Sequence, residues 1–310
     1  MRPDGEAERE LEAAECAGDG AASMHAGPAP IGPEIWVVDL NAAGAAATQA
    51  WRRLAGDKLA FSDPLASHGA EPGDPSRSRR YSRYAALRCL LTRYVGTEKA
   101  LAPFDYEPRG KPKTAQGGVH FSVSHSDHLA VIALSASSAV GVDVECLRKV
   151  RISVERRAQL ELWAETLVAG NALPKPHEAR FLQAWVRLEA VAKCSGEGIG
   201  SLLTTFRTSE ITPGGSDVFR HGKLRVHDLH LATDVAAVSA LATMDPGEPT
   251  IKIFPDGMRE IECLMFPTAP YVPGRATVTG VRDASHSGDI FQGSRMRLCT
   301  ASEQTGSSSP

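Results

Sequence analysis

Nowhere in the chain do eighteen apolar residues run uninterrupted, so the sequence offers no candidate for a membrane-spanning helix. The opening thirty residues are rich in Ala, Gly, Glu and Pro and lack the basic start and apolar stretch of a signal peptide. The six cysteines (Cys16, Cys89, Cys146, Cys194, Cys263, Cys299) form no Cys-x-x-Cys pair and follow no His spacing, which excludes a readable zinc site or disulfide framework. A soluble protein of the reducing cytoplasm is expected. With a net charge of −3 there is no global pull toward nucleic acid or a membrane surface, so any charged partner must be met by a local patch. No Gly-x-x-x-x-Gly-Lys-[Ser/Thr] loop and no protein-kinase signature is found, which counts against a nucleotide-using phosphotransfer enzyme.

What is there begins with size. A chain of 310 residues, 42% of them hydrophobic, can bury one large core or two modest ones. Residues 1–33 end in Gly27-Pro28-Ala29-Pro30-Ile31-Gly32-Pro33, the composition of an extended or mobile arm. A strand is predicted over 35–40, a helix over 44–56, and a polar loop over 67–78. Between Arg79 and Tyr94 apolar residues recur at helical spacing with arginines among them, predicting an amphipathic helix with a basic edge. Residues 119–134 read as a hairpin, turning over Ser124–His128. His120–Leu134 can be laid without gaps on His227–Leu241, matching His, Asp, Ala, Val, Ala and Leu. That predicts an α+β fold of two similar halves, 35–139 and 140–250, with 256–310 irregular and partly mobile.

Two segments carry chemistry. In Gly141-Val142-Asp143-Val144-Glu145 the strand period of two sets Asp143 and Glu145 on one face and Val142 and Val144 on the other. In Trp185-Val186-Arg187-Leu188-Glu189-Ala190-Val191-Ala192-Lys193 the spacing of four stacks Trp185, Glu189 and Lys193 along one helical stripe. Three carboxylates on rigid elements suit a hard, oxygen-loving cation such as Mg2+, which binds through a few carboxylates, water and substrate phosphate. The ordinary reading of each segment alone is a strand with a wet face and a solvated Glu/Lys pair.

Upstream lie Gly110-Lys111-Pro112 and Phe121-Ser122-Val123-Ser124-His125-Ser126. The ordered set Gly-Lys-Pro, Phe-x-x-Ser-His-Ser, Gly-x-Asp-x-Glu and Trp-x-x-x-Glu-Ala-x-x-Lys resembles the 4'-phosphopantetheinyl transferases of the large, single-chain surfactin-synthetase-activating type. The resemblance covers roughly residues 35–250. It implies a pseudo-dimer of two α+β halves with the active site in the cleft between them, and transfer of the 4'-phosphopantetheine arm of coenzyme A to a serine of an acyl or peptidyl carrier protein, releasing 3',5'-adenosine diphosphate. It further implies Mg2+ on Asp143, Glu145 and Glu189, catalysis by Glu189, Lys193 and His125, and coenzyme A contacts from Gly110, Lys111, Pro112, Ser124, His125 and Lys193.

For the coenzyme's 3'-phosphate the family's helix arginine falls at Tyr84 here, leaving Arg80 and Arg83 as alternatives. A second departure is Leu188, where the family commonly has a lysine before the glutamate. Arg148, Lys149, Arg151, Arg156 and Arg157 follow the acidic strand and are the expected docking patch for an acidic carrier protein. A monomer is expected, since one chain supplies both walls of the cleft, and neither nucleic acid nor membrane is an expected partner. The competing reading is a non-catalytic coenzyme A or carrier-binding module of the same fold, which would be expected to have lost a metal carboxylate.

Overall fold

The computed structural model describes residues 32–56, 75–115, 117–168, 173–174, 177–208 and 224–267. The arm expected over 1–31, most of the predicted polar loop and the tail beyond 267 lie outside the described residues.

Strand β1 (Glu34–Asp39) leads into helix α1 (Gly44–Ala55), joined by an Asp39 side chain that accepts the Asn41 and Ala42 backbone N–H groups. Helix α2 runs Pro75–Leu101 and is broken at Gly96, whose φ of 80° is not helical. The predicted basic amphipathic segment lies inside it. Its start overturns part of the loop prediction: Pro75–Ser78 is helical, and a proline in the first turn is tolerated because its missing N–H would have had no intrahelical acceptor. A small hairpin, β2 (Phe104–Tyr106) and β3 (Pro112–Thr114), precedes the long hairpin β4 (His120–Ser126) and β5 (Leu129–Ser135).

Then come β6 (Val140–Cys146), helices α3 (Val154–Thr166), α4 (His177–Ser195) and α5 (Ile199–Thr208), and strands β7 (Arg225–Leu229) and β8 (Ala237–Thr243). The chain ends its described course with β9 (Thr250–Ile253) and α6 (Met258–Met265). The sequence-based expectation of an irregular segment from 256 therefore fails for α6, which buries Ile261 and Met265 against the first helices.

The architecture is α+β. One sheet has the order β4-β5-β1-β9 and another β6-β8-β7. In the first, β5 pairs antiparallel with both β1 and β4; in the second, β8 pairs antiparallel with both β6 and β7. Each stretch thus runs strand, helices, hairpin, and its last strand sits in the middle. The face of β1 bearing Trp36 and Val38 packs with α1 and α2, while Ile35 and Val37 meet Val142, Val144 and Leu241 of the other sheet. A strand covered on both faces needs apolar residues on both, which is why β1 and β5 read as continuous hydrophobic runs.

Candidate active site

From Phe181 to Cys194 helix α4 is buried except for one stripe. Leu182, Ala184, Val186, Leu188, Ala190 and Val191 lie in the second core, whereas Trp185, Glu189 and Lys193 are only half-buried. The helix rests directly on β6: a Cβ placed on Gly141 would lie 2.0 Å from the Ala190 carbonyl oxygen and 2.3 Å from the Cys194 nitrogen, so only glycine fits there. That close approach brings the stripe beside the acids two and four residues further along the strand.

Asp143 is 5% exposed, and its Oδ1 accepts from Lys193 Nζ at 2.6 Å and from Ser124 Oγ at 2.6 Å. Burial pushes its carboxyl above the ordinary value; Lys193 and the Ser124 hydroxyl pull it back without cancelling the rise, and Glu145 adds to it. Glu145 accepts from Ser126 Oγ at 3.0 Å and from Arg148 Nη2 at 3.2 Å. Glu189 is also raised, by burial first and then by Asp143 and Glu145, against Lys193.

The three acids line one cavity of about 620 Å3 together with Arg80, Arg83, Arg109, Lys111 and Lys193. Five cations against three carboxylates suit an anionic ligand. Among the described residues, no group of three or more His, Cys, Asp or Glu side chains is drawn together closely enough to hold a metal ion. Asp143 is hydrogen-bonded to Lys193 and Ser124, and Glu145 to Ser126 and Arg148, while Glu189 lines the same cavity. The donor set itself, three carboxylates of which Glu189 is raised by burial and then by its acidic neighbours, is of the type a hard cation requires.

His125 is not in a turn. It lies in β4 opposite Ala130, and the hairpin reverses at Asp127-His128, where Asp127 has a φ of 54°. Its imidazole still lines the cavity and is exposed there; loss of water around the ring at the cavity wall, then Arg83 and Lys193, hold it down to about 4, with Glu145 opposing. It is therefore neutral at physiological pH.

Both arginine candidates face the same space: Arg80 is exposed, and Arg83 is half-buried with its guanidinium lowered by burial and by Arg80. Tyr84, at the family's arginine position, is instead a core residue packed edge-on to Trp51 and Phe104.

Gly110, with a φ of 85°, turns the β2–β3 hairpin, and Pro112 opens β3; both line the cavity. Lys111 lines the cavity as well. Its ammonium donates to the carbonyls of Val140 at 3.3 Å and Cys194 at 3.2 Å, bracing the hairpin to β6 and α4.

Of the expected docking cations, Arg148, Lys149 and Arg151 are exposed. Arg156 and Arg157 are half-buried against Trp163 and Phe181. Beside the exposed three stand the apolar Leu147, 43% exposed, and Val154, 77% exposed. Sequence reasoning missed Arg109, which lines the cavity and donates to the Glu197 carbonyl, and it gave no separate role to Ser126. The alternation of Ser122, Ser124 and Ser126 was the available signal.

A family described as the 4'-phosphopantetheinyl transferase superfamily matches residues 139–241, from just before β6 into β8. The chain is 35% identical over 136 residues to 4'-phosphopantetheinyl transferase HetI of Nostoc sp., covering 41% of this chain and 56% of that protein. It is 32% identical over 161 residues to an L-aminoadipate-semialdehyde dehydrogenase-phosphopantetheinyl transferase of Eremothecium gossypii, covering 48% and 56%. To 4'-phosphopantetheinyl transferase psf-1 of Bacillus pumilus it is 30% identical over 145 residues, covering 45% and 60%. The matched part of the chain thus spans a little over half the length of each of these relatives. No helix among the described residues is long and apolar enough to cross a membrane. Residues 139–241, which match the 4'-phosphopantetheinyl transferase superfamily, contain two of the four ordered motifs, Gly141–Glu145 and Trp185–Lys193.

Proposed function

We propose that this protein transfers the 4'-phosphopantetheine arm of coenzyme A to a serine of an acyl or peptidyl carrier protein. The observation that carries the reading is the convergence of all four motifs on one cavity lined by three carboxylates and five cations. A coenzyme with a diphosphate and a 3'-phosphate needs both: cations for its phosphates, and acids for a divalent ion that bridges phosphate to protein. Arg80 and Arg83 are assigned to the 3'-phosphate, Gly110 and Pro112 to the wall beside the adenine, and neutral His125 to a phosphate oxygen as a hydrogen-bond donor.

In the reaction the carrier serine oxygen forms a bond to the β-phosphorus, the bond from that phosphorus to the oxygen of 3',5'-adenosine diphosphate breaks, and the serine proton passes to a base. Glu189 is assigned as that base, because a carboxyl raised toward neutrality is a better proton acceptor than an ordinary one. Lys193 stabilises the negative charge on the phosphoryl oxygens, and donors so placed are worth on the order of 3 kcal/mol each. Asp143, Glu145 and Glu189 would hold Mg2+, which when bound supplies charge neutralisation at the diphosphate.

Leu147 and Val154, set among Arg148, Lys149 and Arg151, offer the mixed apolar and basic surface that an acidic carrier protein fits. We read the two stretches of equal connectivity as a pseudo-dimer, supported by the gapless match of His120–Leu134 on His227–Leu241. A monomeric, cytoplasmic protein agrees with this reading.

The test is mass spectrometry of an apo carrier protein incubated with the chain, coenzyme A and magnesium. Gain of one phosphopantetheine arm is expected, lost in Asp143→Ala and Glu189→Gln variants that melt like the parent. No gain by the parent leaves the alternative of a non-catalytic coenzyme A or carrier-binding module. Near-normal rates in either variant at saturating magnesium refute the ligand and base assignments.

A further inference from the structure

Strand β6 is at the edge of its sheet, so its outward N–H groups have no partner strand. They donate instead to serine hydroxyls of β4: Val142 N–H to Ser122 Oγ at 3.1 Å, Val144 N–H to Ser124 Oγ at 3.4 Å, and Cys146 N–H to Ser126 Oγ at 3.0 Å. A backbone N–H can only donate, so each serine oxygen is an acceptor there and its own proton is left to give. Ser124 gives it to Asp143 Oδ1 at 2.6 Å, and Ser126 to Glu145 Oε2 at 3.0 Å. In both cases the acid is 19 residues beyond the serine. By the same register Ser122 faces residue 141, which is glycine and offers no acceptor side chain.

We propose that Ser124 and Ser126 are positioning residues that hold the Asp143 and Glu145 carboxylates in fixed rotamers at the cavity wall, so that divalent-cation affinity is set by β4 as well as by the acids. The Ser124 hydroxyl is thereby committed to Asp143 rather than to coenzyme A. The inference rests on the proposed reading of those acids as cation ligands. Hydrogen bonds to ligating carboxylates fix their orientation, and losing them typically weakens metal binding by about 10–100-fold.

Ser122 supplies an internal control, because it makes the same bond to β6 and none to an acid. The experiment is Mn2+ binding followed by electron paramagnetic resonance on the full chain with coenzyme A present and no carrier protein, so that no turnover occurs. Ser124→Ala and Ser126→Ala are each expected to weaken Mn2+ binding by about tenfold or more, and Ser122→Ala by less than about twofold. Ser126→Thr, which keeps the hydroxyl, is expected to stay near the parent. Melting temperatures accompany each variant, and should buried Ser124→Ala fail to fold, the half-buried Ser126 pair decides the matter. Parent-like affinity in Ser126→Ala, or an equal loss in Ser122→Ala, overturns the proposal. A parent chain that binds no Mn2+ at all overturns the cation reading beneath it, an outcome distinct from both.

Discussion

Replacing Gly141 with alanine tests how the site is assembled without touching any group that faces the cavity. The backbone at 141 is ordinary strand, so the penalty is steric. An added Cβ would lie 2.0 Å from the Ala190 oxygen, 2.3 Å from the Cys194 nitrogen and 2.9 Å from its Cα, all backbone atoms of α4 that have no rotamer to change. Real Cβ atoms essentially never come within 3.0 Å of another heavy atom, so α4 and β6 must part by about 1 Å. Overpacking of this kind costs about 1–3 kcal/mol of stability. The functional cost is larger, because α4 carries Glu189 and Lys193 while β6 carries Asp143. Carried through to the Lys193–Asp143 pair at 2.6 Å, the displacement stretches it to about 3.6 Å, past hydrogen-bonding distance. A misplacement of about 1 Å between reacting groups costs on the order of 100-fold in rate. The assays are urea unfolding and the initial rate of carrier modification by mass spectrometry, with Gly200→Ala as control, since a Cβ there meets nothing within 4 Å. Gly141→Ala is expected to lose both stability and rate, and Gly200→Ala neither. A Gly141→Ala protein that unfolds like the parent and turns over within about twofold of it would show that α4 is not seated on β6 as described, and the shared cavity would lose its basis.

Asp228 holds the fully buried Arg187 through two hydrogen bonds, at 2.8 and 2.5 Å. Asp228→Ala is therefore expected to cost about 3–5 kcal/mol in urea unfolding by removing the carboxylate that faces a buried guanidinium, and a loss under about 1 kcal/mol would contradict the pairing. For His125 the folded value, about 4, lies below the ordinary 6.5, so the unfolded chain binds more protons between them. Its contribution to stability is present above pH 6.5 and fades as pH falls toward 4; an imidazole NMR titration with a midpoint near 6.5 would disprove it. Lys149→Glu with Arg151→Glu, two exposed cations of the proposed docking surface, is expected to raise KM for the carrier and weaken its salt dependence while leaving kcat near the parent value. An unchanged carrier KM removes this surface from the docking site.

Much of the site was legible because it is built on periodicities. The period of two sends Val142 and Val144 into the core between the sheets and leaves Asp143 and Glu145 beside α4, and the spacing of four marks the only half-buried stripe in the middle of that helix. The hairpin turn was misplaced for a tertiary reason. A polar run from Ser124 to His128 looks like a loop when taken locally, but three serines in it and before it are consumed by the edge of β6, so the strand continues through Ser126. Lys111 was equally unreadable, since its two carbonyl acceptors lie 29 and 83 residues away in sequence. The α6 helix was passed over because Met258–Met265 buries only two side chains, too short a pattern to stand out.

The two stretches of equal connectivity are unequal in charge, and that inequality locates the chemistry. The face of β1 turned to its own helices carries Trp36 and Val38, both buried in the first core. On β6 the face turned to its own helix α4 carries Gly141, Asp143 and Glu145. All three acids of the cavity come from the second stretch, the one matched by the superfamily, whereas Arg80, Arg83, Arg109, Lys111 and His125 come from the first. Neither set alone is suited to a diphosphate and a divalent ion together. Acids without the opposing cations would repel the phosphates, and cations without the acids would bind phosphate but give no carboxylate ligand to a metal. The fold keeps both sets in one cavity by two devices that cross between the stretches, the Lys111 brace to Val140 and Cys194 and the serine hydroxyls of β4 on the edge of β6. Charge chemistry and the joint between the sheets therefore occupy the same few residues, which is why a change at this seam is expected to disturb cation affinity before it disturbs either core.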